Sequence, residues 1–88
     1  MTIKILYFAG LREALGLASE DIPLPENVAT VGALHAHLVA RGGVWASLAQ
    51  AKNLRIALNQ NMVVSENAVD APIKAGDEVA FFPPVTGG

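Results

Sequence analysis

The feature that most constrains the fold is a single long stretch of helical periodicity that lies between stretches of strand periodicity. Four apolar residues repeat on one stripe of this helix: Val31, Leu34, Leu38 and Val39. The helix is predicted to begin after Thr30, which can cap it, and to run to Arg41, with Gly42 as its C-terminal stop. Because two strands precede this helix and others follow, the pattern predicts an α+β fold in which a sheet wraps around one main helix.

The flanking segments carry the β-branched and aromatic residues and the alternation that are typical of strands. The first strand is predicted from Thr2 to Phe8, and the second from Asp21 to Leu24, where two prolines favour a sheet edge. Three more strands are predicted after the helix: residues 54–58, 62–64 and 78–82. Two short helical segments are predicted at residues 11–15 and 45–50.

The composition limits the classes of function open to the chain. Its 88 residues are enough for one domain, predicted at 1–82, followed by a tail at 83–88. The hydrophobic fraction of 52% is high beside a charged fraction of 16%, which indicates an apolar interface with another protein. A net charge of −2 without a basic patch argues against nucleic acid as a partner. No apolar run reaches the roughly 18 residues of a membrane span and no signal peptide is visible, so we expect a cytoplasmic protein without a membrane partner.

Side chains with catalytic or metal-binding chemistry are few. The chain has no cysteine, which excludes disulfides, thiolate metal ligands and a persulfide on the chain itself. His35 and His37 are two residues apart on the predicted helix, so they point roughly 200° apart, cannot share a metal ion and are expected to be solvated. Glu20 and Asp21 are neighbours in a strand and face opposite sides of it. We therefore expect no bound metal or cofactor and no internal catalytic group, with Trp45 as a core or rim anchor.

The C-terminal run is the strongest functional signal in the sequence. It reads Phe81-Phe82-Pro83-Pro84-Val85-Thr86-Gly87-Gly88. The prolines fix φ and hold the root of the tail extended, and the glycines, which lack Cβ, can pass through a slot too narrow for other residues. Fully extended, the tail from Pro83 can span on the order of 20 Å. We therefore expect the reacting group to be the main-chain carboxylate of Gly88, inserted into the active site of a partner.

The same residues carry a resemblance to a known family. From Gly76-Asp77 to Gly88 the sequence resembles the C-terminus of the molybdopterin synthase small subunits, in the sulfur-carrier branch of the ubiquitin-like proteins. The resemblance extends to the apolar opening Ile3–Ala9, to the following Arg12-Glu13 and to Leu58-Asn59-Gln60. It implies the β-grasp fold, a mixed sheet in which the first and last strands lie side by side at the centre.

The resemblance also implies a reaction in which the chain is a co-substrate and not an enzyme on its own. An adenylyltransferase related to ubiquitin-activating enzymes would adenylate Gly88 with ATP and Mg, and a persulfide donor would supply the sulfur of a thiocarboxylate. The tail would then deliver that sulfur to a cyclic pterin precursor in the large subunit of molybdopterin synthase, forming the dithiolene. The implied assembly is a heterotetramer with two copies of each subunit. The residues expected to guide the tail are Pro83, Pro84, Val85, Thr86 and Gly87.

Three other functions are compatible with the same C-terminal run. The carrier could supply sulfur for the thiazole of thiamine or for tRNA thiolation. The chain could instead be a ubiquitin-like protein modifier whose terminus forms isopeptide bonds with lysines. It could also be a β-grasp binding module whose terminus does no chemistry. Release of sulfur to the pterin precursor would decide between the pterin pathway and the first of these functions. Conjugate ladders on a blot would support the second. Full activity after removal of Gly87 and Gly88 would support the third.

Pleat alternation predicts an apolar patch at the root of the tail. In the first strand Lys4, Leu6 and Phe8 share one face, and a lysine is rarely buried, so this face is expected to point outward. In the last strand the same reasoning turns Phe82 outward and Phe81 inward. The expected partner interface consists of four residues: Leu6, Phe8, Met62 and Phe82. The alternative is that a loop or helix covers this face.

Overall fold

The computed structural model describes residues 2–46, 48, 55–63 and 70–82. Among these residues, helix α1 covers Ala9–Leu15, helix α2 covers Val31–Val39, and a 3₁₀ turn covers Gly43–Trp45. The strands are β1 (Thr2–Tyr7), β2 (Ser19–Pro23), β3 (Arg55–Leu58), β4 (Asn61–Val63) and β5 (Glu78–Phe82). The predicted tail, residues 83–88, lies outside the described residues, so the division into a domain and a tail stays a prediction.

The five strands form one mixed sheet in the order β2-β1-β5-β3-β4. The first and last strands, β1 and β5, lie parallel at its centre, with Tyr7 opposite Phe81. The pairs β1/β2, β3/β4 and β3/β5 are antiparallel. Strand β2 is an edge strand, as its prolines predicted, and the side-by-side placement of the first and last strands is confirmed.

The core lies between the inner face of this sheet and helix α2. The central strands contribute fully buried side chains from alternate positions, and α2 contributes one apolar stripe. These residues are Ile3, Ile5, Tyr7, Val31, Leu34, Leu38, Val79 and Phe81. Burial of each such side chain contributes about 1.5–3 kcal/mol of hydrophobic free energy. Three of the four residues of the predicted helical stripe are fully buried, and Val39 packs half-buried beside them.

Helix α2 begins as predicted and ends earlier than predicted. Thr30 caps it, because its Oγ1 accepts a hydrogen bond from the amide of Ala33 at 3.2 Å. The amides of Arg41 and Gly42 bond to the carbonyls three residues earlier, at 3.1 Å in both cases. Bonds of this spacing tighten the last turn into 3₁₀ geometry, so the regular helix stops at Val39 and not at Arg41.

Other element boundaries shift by one to two residues. Helix α1 begins at Ala9 and not at 11, β2 covers 19–23 in place of 21–24, and β4 begins at 61 and not at 62, while residue 64 lies outside the described residues. The helical segment predicted at 45–50 is a 3₁₀ turn at Gly43–Trp45, with helical backbone at residues 46 and 48; residues 47, 49 and 50 lie outside the described residues. The β3–β4 turn has positive φ at both central residues, Asn59 at 52° and Gln60 at 70°, which is typical of a two-residue type I′ hairpin.

The end of the sheet opposite the predicted tail is held by a polar network around Asp77. This carboxylate is 8% exposed. Its Oδ2 accepts from the amide of Lys74 at 2.9 Å, and its Oδ1 accepts from Nδ2 of Asn59 at 3.2 Å. Oδ1 of Asn59 in turn accepts from the amide of Glu78 at 2.9 Å. The hairpin turn, the 72–77 loop and the start of β5 are therefore joined by side chains that satisfy one another.

Candidate docking surface at the end of strand β5

The backbone of Phe8 is fixed between β5 and α1. Its amide donates to the carbonyl of Phe81 at 3.2 Å, which extends the parallel ladder by one residue beyond β1. Its carbonyl accepts from the amide of Leu11 at 3.1 Å. The next residue, Ala9, has φ of 52°, a left-handed value that is uncommon for alanine and turns the chain sharply from strand to helix. Phe8 is thus held on both sides at the end of the sheet where β5 leads to residue 83.

The ring of Phe8 stacks on the ring of Phe82. Their centroids are 4.6 Å apart and their planes differ by 7°. Phe8 is 38% exposed and Phe82 is half-buried, so the pair presents an apolar surface to solvent. On the other face of the same two strands, Tyr7 stacks on Phe81 with centroids 6.2 Å apart, and both of those rings are in the core. Phe82 points outward and Phe81 inward, as the alternation predicted.

The other two predicted interface residues, Leu6 and Met62, stand at the ends of a row that crosses the outer face of the sheet. Strand register places Leu6 opposite Ala80, Ala80 opposite Ala57, and Ala57 opposite Met62. Met62 is 58% exposed and Leu6 is half-buried, whereas the two alanines between them are nearly covered. The row is therefore an apolar strip in which two small alanines lie between two larger side chains. The Phe8–Phe82 pair adjoins this strip. We call these residues the docking surface: Leu6, Phe8, Ala57, Met62, Ala80 and Phe82.

A polar network that sequence reasoning missed lies on the inner side of the sheet. The Tyr7 hydroxyl donates to Oε2 of Glu20 at 2.8 Å, and the Arg41 guanidinium donates to both oxygens of Glu20, at 2.9 and 3.1 Å. Arg41 also lies over the ring of Trp45, 4.4 Å from its centroid, and Trp45 meets Tyr7 edge-on at 5.6 Å. Burial, with the hydrogen bond to Glu20 and its charge as further causes, raises the pKa of Tyr7 well above its ordinary value.

From the sequence, no partner was assigned to Arg41, which forms an ion pair with Glu20. The alternation of β2 side chains between the two faces of the sheet could have indicated this network. Glu20 shares the inward face with Ile22, and a carboxylate on a core-facing side requires a partner. Trp45 is half-buried beside this network, which confirms its assignment as a rim anchor.

The expectation of two solvated histidines was correct for His37 and wrong for His35. His37 is exposed, but His35 is half-buried, with its Nε2 3.0 Å from the carbonyl oxygen of Leu48. Its ring lies 6.2 Å from that of Phe81. His35 directly follows the buried Leu34, so it is rotated by about 100° around the helix and lies at the edge of the apolar stripe. This position accounts for its partial burial.

The described ranges contain no group of three side chains with the chemistry to hold a metal ion. No helix among those described is long and apolar enough to cross a membrane. The residues predicted to act in catalysis and tail insertion, Gly88 and 83–87, lie outside the described part of the chain, and their roles stay predictions. Phe82 is the last described residue before them, and its ring is in contact with that of Phe8.

The sheet order and the single main helix packed on its inner face define a ubiquitin-like β-grasp protein. The crystal structure of SAMP1 from Haloferax volcanii is similar to the whole chain, with a TM-score of 0.77, 25% sequence identity and coverage of 100% of both chains. The predicted fold class is therefore confirmed.

The chain belongs to the ThiS family, whose family model matches residues 5–88. Two curated relatives, from Haemophilus influenzae and Escherichia coli K12, are both named molybdopterin synthase sulfur carrier subunit. Each is 42% identical over 86 residues, which cover 98% of this chain and 99% of the relative. These matches confirm the resemblance seen in the sequence and, at the level of those names, the sulfur-carrier function expected from it.

Proposed function

We propose that the chain carries sulfur as a thiocarboxylate on Gly88 and delivers it within molybdopterin synthase. The observation that carries this proposal is the exposed Phe8–Phe82 stack, which gives a partner an apolar surface directly before residue 83. The ThiS family model extends to residue 88, so the Gly87-Gly88 end falls within the family match. A chain without cysteine has no side-chain thiol to carry sulfur, which leaves the terminal carbonyl as the attachment point.

The first step is activation of the Gly88 carboxyl group. A free α-carboxylate has a pKa of about 3.5, so at neutral pH it is an anion that resists nucleophiles. In the proposed step, a carboxylate oxygen attacks the α-phosphorus of ATP, the bond to pyrophosphate breaks, and an acyl-adenylate forms. ATP and Mg belong to an adenylyltransferase related to the ubiquitin-activating enzymes.

The second step exchanges AMP for sulfur. The terminal sulfur of a persulfide on a donor protein attacks the acyl carbon, and the bond to AMP breaks. The product is an acyl disulfide between Gly88 and the donor. A thiol then attacks the donor sulfur and breaks the S–S bond, which releases the Gly88 thiocarboxylate and leaves a disulfide on the donor side. The thiol is the two-electron reductant of this step.

In the third step the thiocarboxylate sulfur attacks a carbon of the cyclic pterin precursor, the bond from that carbon to an oxygen substituent breaks, and the oxygen leaves with its electron pair, giving a thioester-linked intermediate. Water then attacks the acyl carbon, the acyl–sulfur bond breaks, and Gly88 returns to its carboxylate. Two rounds supply the two sulfurs of the dithiolene. The groups that move protons in these steps belong to the large subunit, and Pro83 to Gly87 guide the terminus into its active site.

The docking surface is proposed to bind the large subunit, in a heterotetramer with two copies of each chain. Support comes from the names of the relatives, which describe a subunit of molybdopterin synthase. Stacked aromatic rings that are exposed to solvent, next to an apolar strip that ends in a methionine, are the kind of surface that protein interfaces bury at their centre.

The proposal is tested by reconstitution with purified activating enzyme, large subunit, ATP, a sulfur donor and the pterin precursor. The full chain is expected to give dithiolene product, and the chain lacking Gly87 and Gly88 is expected to bind the large subunit and give none. Product formed by the truncated chain would overturn the proposal. Conjugates on lysines of other proteins, with no sulfur transfer, would support the protein-modifier function instead.

A further inference from the structure

The outer face of the sheet carries a row of charges beside the docking surface. Register places Asp21 opposite Lys4 across β2 and β1, and Lys4 opposite Glu78 across β1 and β5. Lys4 and Asp21 are exposed and Glu78 is half-buried. Strand spacing is about 4.8 Å, so the three charges alternate negative, positive, negative over about 10 Å. We call these three residues the charged row.

The charged row and the apolar strip are adjacent parts of one face. Lys4 and Leu6 are two residues apart in β1, as are Glu78 and Ala80 in β5, so both pairs project to the same side. Going from the charged row toward the end of β5, the face therefore presents charges, then the apolar strip, then the Phe8–Phe82 pair. The apolar strip is therefore bordered by charged side chains on one side and by the two aromatic rings on the other.

The charged row forms no close ion pair with any other residue that the structure describes. In the described ranges 2–46, 48, 55–63 and 70–82, the one salt bridge within 4 Å is that between Arg41 and Glu20. Lys4 and its two neighbours in register thus remain available to a partner. Charges at the rim of an interface contribute little stability to the free protein, but they steer association and fix its register.

We propose that the charged row orients the large subunit on the docking surface, an inference that rests on the proposed function. The matching edge of the large subunit presents an acidic group opposite Lys4 and basic groups opposite Asp21 and Glu78. A slip of one strand would place like charges opposite each other along the row, which disfavours the wrong register. If the partner were rotated by 180° on this face, its basic and acidic groups would lie against the Phe8–Phe82 pair. The two borders together therefore select one orientation.

The test measures association rates of the purified large subunit with Lys4→Glu and Lys4→Gln variants, at low and high salt. Lys74→Glu and Lys74→Gln are the matched controls, because Lys74 is an exposed lysine in the 72–77 loop, outside the charged row and the docking surface. At low salt, Lys4→Glu is expected to slow association about tenfold, with a smaller loss for Lys4→Gln, and high salt is expected to remove most of the difference. Each Lys74 control is expected to stay within about twofold of the unmodified chain.

The neutral variant protects the test against loss of folding, since Lys4→Glu aligns three carboxylates while Lys4→Gln does not. Melting curves of all four variants show that folded proteins are compared. If the unmodified chain binds the large subunit and the Lys4 variants associate as fast as the Lys74 controls, the inference is overturned and the proposed function stands. If the unmodified chain does not bind the large subunit at all, both are overturned.

Discussion

Phe8 and Phe82 stack face to face on the outer side of the sheet, with ring centroids 4.6 Å apart, one residue beyond the buried stack of Tyr7 and Phe81. The parallel pairing of β1 and β5 creates both stacks, because it brings equivalent positions of the two strands together. The inner pair therefore anchors the end of β5 in the core, and the outer pair leaves an apolar surface exposed to solvent. We propose that this outer surface binds the partner.

The outer stack is expected to act as a unit in binding. Phe8→Ala and Phe82→Ala should each weaken binding of the large subunit by about 1–3 kcal/mol. Because each ring supports the other, the double variant should lose less than the sum, with a coupling of about 0.5–1.5 kcal/mol. Titration calorimetry of the single and double variants measures both quantities.

Val44→Ala is the control for these phenylalanine variants, since Val44 is also apolar and 55% exposed but lies in the 3₁₀ turn. Its affinity should match that of the unmodified chain. A fall in melting temperature for Phe8→Ala as large as that for a core substitution would place the ring in the fold and contradict its assignment to the docking surface.

Tyr7 should make the stability of the protein fall at alkaline pH. Its hydroxyl is buried and donates to Glu20, so the folded state keeps the proton at a pH where the unfolded chain, with a pKa of about 10, releases it. The unfolded state then binds fewer protons than the folded state, and the free energy of unfolding decreases above about pH 10 by up to about 1.4 kcal/mol per pH unit.

Urea unfolding at a series of alkaline pH values measures this slope, and Tyr7→Phe should lack it while being less stable at neutral pH. Tyr7 is the one tyrosine of the chain, so tyrosinate absorbance reports on it alone. Ionisation of this tyrosine near pH 10 in protein that is still folded would contradict the buried hydrogen bond.

Asp77 should stabilise the end of the sheet opposite the docking surface. Asp77→Ala leaves the amide of Lys74 and the side chain of Asn59 without their acceptor, at a cost of about 1–3 kcal/mol in the free energy of unfolding. Asp77→Asn keeps one side-chain oxygen and should cost less. Affinity for the large subunit should change little in either variant, because the docking surface lies elsewhere. Equal stability of the alanine variant and the unmodified chain, measured by denaturant unfolding, would show that the network does not contribute.

Local patterns predicted most of the fold and the outward placement of the residues proposed to bind a partner. Lys4 marked the outer face of β1, and from that residue alternation assigned Leu6, Phe8 and Phe82 correctly to the outside. The residues missed were those whose environment depends on distant segments. Glu20, Arg41 and Tyr7 are far apart in sequence, and their network exists because α2 ends beside the β1–β2 edge. The early end of α2 is a local effect, because the amides of Arg41 and Gly42 bond to carbonyls three residues earlier and Gly42, with φ of 76°, separates the helix from the 3₁₀ turn that carries Trp45.

The thiocarboxylate on Gly88 is tested by the intact mass of the chain purified from its own cells, with fragmentation to locate any change. We expect a mass difference equal to one sulfur replacing one oxygen, confined to Gly88. A C-terminal carboxylate that stays unmodified after incubation with ATP, the activating enzyme and a sulfur donor would contradict it.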